Sequence, residues 1–171
     1  MRNVEVVPYN DQWPKLFLKE AAAIKEIFGD ELIDVHHIGS TSVPGLAAKP
    51  IIDIMPVVRK IENVDKYNQQ IAAIGYEGKG EFGIPGRRYF RKGGENRSHH
   101  VHIFQQRDKG VNRHLAFRDF LREHPNIARK YGAKKQELAA QFPSDIEAYR
   151  NGKDQLVQEI EQKALAWYQN N

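Results

Sequence analysis

The spacing of apolar residues along the chain changes from helical to strand-like and back, and those changes outline a fold. Trp13, Phe17, Ala21, Ile24 and Phe28 recur every three or four residues. That predicts an amphipathic helix with Asp11 as its cap, Pro14 tolerated in its first turn and Gly29 at its end. Apolar runs at 32–38 and 51–58, joined by a loop of small residues, predict two strands. Residues 63–74 return to helical spacing through Val64, Tyr67, Ile71 and Ile74. A glycine-rich loop at 78–86, either a cover over a site or an ordinary hairpin loop, leads to strands at 87–92 and 98–105 about a turn at 93–96. From Val111 the pattern is wholly helical. Leu115, Phe120 and Leu121 mark one helix, ended by His124-Pro125; Ile127, Tyr131, Leu138 and Phe142 mark the next. After a short turn running to Tyr149, Leu156, Ile160, Ala164 and Trp167 mark the last. Residues 4–7 read as a short edge strand or an extended lead-in, and 47–48 as a short helical turn.

The expected fold class is therefore α+β: a mixed β-sheet with flanking helices and a C-terminal helical segment. A length of 171 residues suits one domain. An α/β core over 1–108 would carry a helical extension over 109–171 packed on it.

Polar residues that break the apolar pattern mark the candidate chemistry. Gly39, Ser40, Thr41 and Ser42 follow the first strand directly, so a tight turn there presents hydroxyls and successive N–H groups to an anion. Asp53 stands alone in the second apolar strand, where a carboxylate is costly unless paired, hydrogen-bonded or bound to a metal. In the strand at 98–105, alternation sends Val101 and Ile103 to one face and His100 and His102 to the other. Two histidines so spaced can ligate a metal or bond a phosphate, or simply form a polar solvent face. Lys49, held extended by Pro50, is either a phosphate-seeking cation or a surface lysine. Arg88 or Arg91, on opposite faces of the strand at 87–92, would lie at the rim.

Composition narrows the function classes. The absence of cysteine excludes a disulfide framework, a thiolate metal site and a cysteine nucleophile. No stretch approaches the ~18 consecutive apolar residues of a membrane span, and the first residues lack the apolar segment of a secretory signal. A cytoplasmic protein without a membrane partner is expected. Residues 79–135 hold 15 Lys and Arg against 5 Asp and Glu, a candidate surface for a polyanion. Solvated helix faces account for that charge equally well. RNA binding through it is the weaker reading, because the aromatics do not interleave with the basic residues and no RNA-binding signature is present.

Residues 37–55, HIGSTSVPGLAAKPIIDIM, also carry a resemblance. In the nucleotidyltransferase superfamily a hydrophobic-Gly-Ser is followed after roughly ten residues by Asp-hydrophobic-Asp or Glu on the next strand. Here Ile38-Gly39-Ser40 is followed by Asp53-Ile54-Met55. More closely, the stretch resembles the signature of the GrpB family, and the likeness extends through HVHIF, HLAFRDFLREHP and the C-terminal ALAWY. The resemblance implies a nucleotidyltransferase-like mixed sheet that binds a nucleoside triphosphate or another phosphorylated substrate, and transfer of a nucleoside monophosphate. Residues 39–42 would hold phosphates, and Asp53 would bind Mg²⁺ or Mn²⁺, with His100 and His102 as the nearest further ligands. Lys49, Arg88 and Arg91 would offset charge, and His37, as part of the motif, would support the site from behind. The second acid of the pattern is Met55, on the same strand face as Asp53. The alternative is therefore a binding module that keeps the Gly-Ser turn without turnover.

Overall fold

In the computed structural model, which describes residues 3–170, the first apolar stripe forms helix α1, Trp13–Phe28. Its N-cap is Gln12 rather than Asp11, whose carboxylate accepts from the Gln12 side chain instead. Strands β1 (Leu32–Ile38), β2 (Ile52–Val58), β3 (Tyr76–Gly78), β4 (Arg87–Lys92) and β5 (His99–Gln105) form one sheet in the order β1-β2-β5-β4-β3. β2 runs parallel to β5 and the other pairs are antiparallel, so the sheet is mixed. The crossover from β2 to β5 passes through a 3₁₀ segment (Ile61–Tyr67), the short helix α2 (Asn68–Ala73) and the β3–β4 hairpin. The single helix expected at 63–74 is thus split. The Asn63 side chain bonds Glu31 and the Ile61 N–H bonds Gln105, and these contacts hold the tighter turn. Of residues 4–7 only Val7 forms a β-bridge, to Ala48, which also replaces the helical turn expected at 47–48, while the Val4 N–H bonds Pro143 O.

One sheet face carries Ile52, Ile54, Val58, Phe90, Val101 and Ile103 against Ala21, Ile24 and Phe28 of α1. Full burial of a Val or Ile side chain is worth about 1.5–3 kcal/mol. Drawing Val101 and Ile103 into this core therefore fixes the β5 register and turns His100 and His102 to the opposite face. That second face holds Ile38, Met55, Val57 and Phe104 under Val111 and Leu115 of α3 (Lys109–Glu123). Helices α4 (Pro125–Gln141) and α5 (Ile146–Gln169) complete a helical layer. Phe120, Leu121, Ala128, Tyr131 and Ile160 pack there with Val43 and Leu46 from the β1–β2 loop. The short turn expected up to Tyr149 is instead the first turn of α5, capped by the Asp145 carboxylate, which accepts from the Ala148 N–H. Among the described residues no helix is long and apolar enough to cross a membrane.

Candidate functional site

Strand register assembles the centre of the site. Asp53 of β2 pairs with Ile38 of β1 on one side and His100 of β5 on the other, and Arg91 of β4 pairs with His100. His102 lies two residues along β5, opposite Tyr89. Asp53 Oδ1 is 3.1 Å from His102 Nε2 and 3.4 Å from His100 Nδ1. One donor atom from each of these three residues lies within 4.8 Å of the others. Burial alone would raise the Asp53 carboxyl, but the hydrogen bonds and charge of the two histidines hold it well below the usual carboxylate range. Arg87 Nη1 sits 3.4 Å from His102 Nδ1. A guanidinium only donates, so in the neutral ring that contact goes with a proton on Nε2, facing Asp53.

Gly39 ends β1 beside this carboxylate with φ 73° and ψ −173°, a conformation that only glycine adopts readily. A Cβ built on it would stand 2.6 Å from Asp53 Oδ2. The turn that follows uses much of its own polarity. The Ser42 N–H bonds Gly39 O, the Val43 N–H bonds Ser40 O, and the Ser42 hydroxyl donates back to Gly39 O. Thr41 Oγ1 faces inward to His37 Nε2 at 2.9 Å. His37 is buried and stacks on Phe17 with centroids 4.9 Å apart; burial pulls its imidazole down to about 4, so it supports the turn as a neutral ring. The four-residue cradle expected at 39–42 therefore divides. Ser42 is spent on the turn itself, whereas Ser40 and Thr41 line a cleft.

That cleft, about 140 Å³, is closed on its far side by the helical layer. Ser40, Thr41, Lys49, Asp53 and His100 face Tyr131 and Lys135 of α4 and Tyr149, Arg150 and Lys153 of α5. Lys135 Nζ donates to Ser40 Oγ at 2.8 Å. The Lys49 ammonium lies 4.7 Å from the Tyr149 ring centroid. Burial, reinforced by Lys153 and Lys49, pulls the Lys135 ammonium down to about 7. Burial and the neighbouring Arg150 lower Lys153 as well.

The two arginines expected at the rim separate. Arg91 shares the face of His100, lies over the Phe82 ring and reaches Glu77 at 3.8 Å. Arg88 does not belong to the site. Its strand position sends it to the other sheet face, where Nε bonds Asp65 Oδ1 at 2.9 Å. Arg87, on the same strand face as Tyr89 and Arg91, takes the place beside His102. Lys135 has a local sequence signal: it falls four residues after Tyr131 and three before Leu138, a lysine on the buried stripe of its helix. Arg150 and Lys153 have none.

Residues 3–163 match the family model described as GrpB protein. The UPF0157 protein YqkA of Bacillus subtilis is 51% identical over 97% of this chain and 48% of its own length, so the chain spans about half of that relative. The glutamate-rich protein GrpB of Alkalihalophilus pseudofirmus is 33% identical over 92% of this chain and 93% of that protein. A crystal structure of the conserved protein GrpB from Enterococcus faecalis is 48% identical, with a TM-score of 0.93 over 96% of this chain and 99% of that one.

Proposed function

The chain belongs to the GrpB family, and on that premise we propose that its cleft binds the phosphates of a nucleotide or another phosphorylated small molecule. The observation that carries this reading is Lys135. Its residue is 3% exposed, its ammonium bonds a neutral hydroxyl, and Lys49 and Lys153 add charge of the same sign. Lys92, by contrast, is a lysine kept for structure: it meets the Glu20 carboxylate at 3.0 Å. A buried ammonium without such a contact is costly until an anion enters, and a phosphate group is an anion that several cations can share.

Transfer of a nucleoside monophosphate is a second reading, favoured by the presence of Asp53 in the lining of the cleft. One carboxylate and two imidazoles suit a cation of the Mn²⁺ kind and suit Mg²⁺ poorly. Asp53, His100 and His102 would hold it, and a bound cation would offset phosphate charge. His102 is the weakest of the three ligands, since ligation through Nε2 moves its proton to the nitrogen facing Arg87. Met55 fills the place of a second carboxylate with a fully buried apolar side chain. Binding is therefore the primary reading.

The test is calorimetric titration of the full chain with inorganic tripolyphosphate, first in EDTA and then with Mn²⁺. Wild type binds, and Lys135→Met loses at least about tenfold in affinity, one charge-assisted hydrogen bond's worth, with its circular dichroism unchanged. Asp53→Asn binds as well or better in EDTA, because a negative charge has left the cleft, and loses any gain from Mn²⁺. Equal affinity in wild type and Lys135→Met would overturn the reading.

A further inference from the structure

Phe82 is a large apolar side chain held where little else in the fold explains it. It is 55% exposed and has a φ of 49°, a left-handed value that a bulky residue rarely adopts. The other left-handed positions of its loop are Gly80, Gly83 and Gly86. The loop is nevertheless firmly built. Arg87 donates to Phe82 O at 2.9 Å and to Glu81 O at 3.2 Å, and the Glu81 carboxylate accepts from the Gly86 N–H at 2.7 Å. The Phe82 ring stacks on Tyr89 with centroids 5.1 Å apart and planes 12° from parallel. Tyr89 in turn touches His102 at 5.3 Å and His100 at 5.7 Å. Tyr89 thus covers one face of the ring and the Arg91 guanidinium lies 5.8 Å from its centroid, yet the residue stays 55% exposed, one aromatic step from the Asp53 cluster. The same guanidinium that clamps the loop backbone touches His102. A residue serving only the loop would be a glycine or asparagine here; a strained, exposed and rigidly mounted ring is suited to receive another ring.

We propose that the exposed Phe82 ring stacks the nucleobase of a ligand whose phosphates occupy the cleft on the other side of Asp53. The inference rests on the phosphate-cleft reading and narrows its ligand class to nucleotides. Arg91, 5.8 Å from the Phe82 centroid, adds a cation beside the stacked rings. Stacking on a phenyl face tolerates any base, so ATP and UTP are both expected to bind.

The test compares inorganic tripolyphosphate, ATP and UTP as probes of the full chain by calorimetry in EDTA, with wild type, Phe82→Ala and Phe82→Trp. If the platform exists, the nucleotides bind wild type roughly five- to hundredfold more tightly than tripolyphosphate, the range of one base–aromatic stack. Phe82→Ala then brings them down to the tripolyphosphate level without changing tripolyphosphate itself, and Phe82→Trp keeps the preference. Tripolyphosphate binding with no nucleotide preference, or a preference that survives Phe82→Ala, overturns the platform and leaves the cleft standing. Failure of all three probes to bind wild type overturns both. The ring is more than half exposed, so both variants are expected to fold, Phe82→Ala with a slightly lower melting temperature from loss of the Tyr89 stack.

Discussion

Gly39→Ala gives the sharpest physical test of how the site is built. Two costs add at this residue. The backbone, at φ 73° and ψ −173°, lies where a side-chain-bearing residue is strained by about 1–3 kcal/mol. The new Cβ would also stand 2.6 Å from Asp53 Oδ2 and 3.2 Å from Asp53 Cβ and Cγ. The carboxylate cannot simply swing aside, because its other oxygen is bonded to His100 and His102. Displacing it sacrifices at least one charge-assisted hydrogen bond, worth about 1.5–3 kcal/mol. The total is about 2.5–6 kcal/mol, which in a domain of this size, at about 2–4 °C per kcal/mol, lowers the melting temperature by roughly 5–20 °C. Gly29→Ala is the control: φ is 53° and ψ −126°, with nothing within 4 Å of the added Cβ, so only backbone strain applies. Urea unfolding with unchanged m-values measures both variants. Adding Asp53→Ala to Gly39→Ala should recover at least about 1 kcal/mol relative to the sum of the two single changes, the signature of contacting residues. If Gly39→Ala costs no more than Gly29→Ala, the close packing of turn and carboxylate is refuted.

Two further outcomes follow from the charges. Burial first, and then Lys153 and Lys49, take the Lys135 ammonium from 10.5 down to about 7. Between those values the unfolded chain binds more protons than the folded one. Stability therefore climbs as pH rises from about 7 towards 10.5, is lost again as pH falls across the same window, and levels off below 7. Thermal melts across that window in phosphate-free buffer should show a shallower climb for Lys135→Met, and identical slopes would contradict the burial of that charge. Arg88→Ala should leave tripolyphosphate affinity unchanged and cost about 1–2 kcal/mol, since Asp65 of its two-pronged pair is exposed while the arginine stem is largely buried; loss of binding would mean that the two sheet faces communicate.

The strands were readable from sequence because alternation and burial agree there. Val101 and Ile103 go to the core, and Asp53 shares a face with Met55. The turn at Gly39 was readable because glycine, hydroxyls and a lone acid occur within one short stretch. What lay beyond reading was assembled over long sequence separations. Lys135 reaches Ser40 across 95 residues, and no local pattern in α5 announces Arg150 or Lys153. Arg88 was misplaced for a different reason: in an arginine pair the alternation is clear, but which member faces the site depends on register against β5, which the strand itself does not encode. The hydroxyls of Thr41 and Ser42 were visible as donors, but their engagement by His37 and Gly39 was not.

The cleft's division between a turn near the start of the chain and helices at its end has a consequence for synthesis. A nascent chain that has completed β5 already holds Asp53, His100 and His102 but lacks the wall that carries Lys135 and Lys153. Proteins emerge at about 5–20 residues per second, so several seconds separate the two halves of the site. An anion that needs both walls cannot bind the unfinished chain. On the proposed reading, once α5 has docked an anion held between both walls stabilises this fold according to its concentration over its dissociation constant. On the same reading, an occupied cleft requires α5 to have been made and seated.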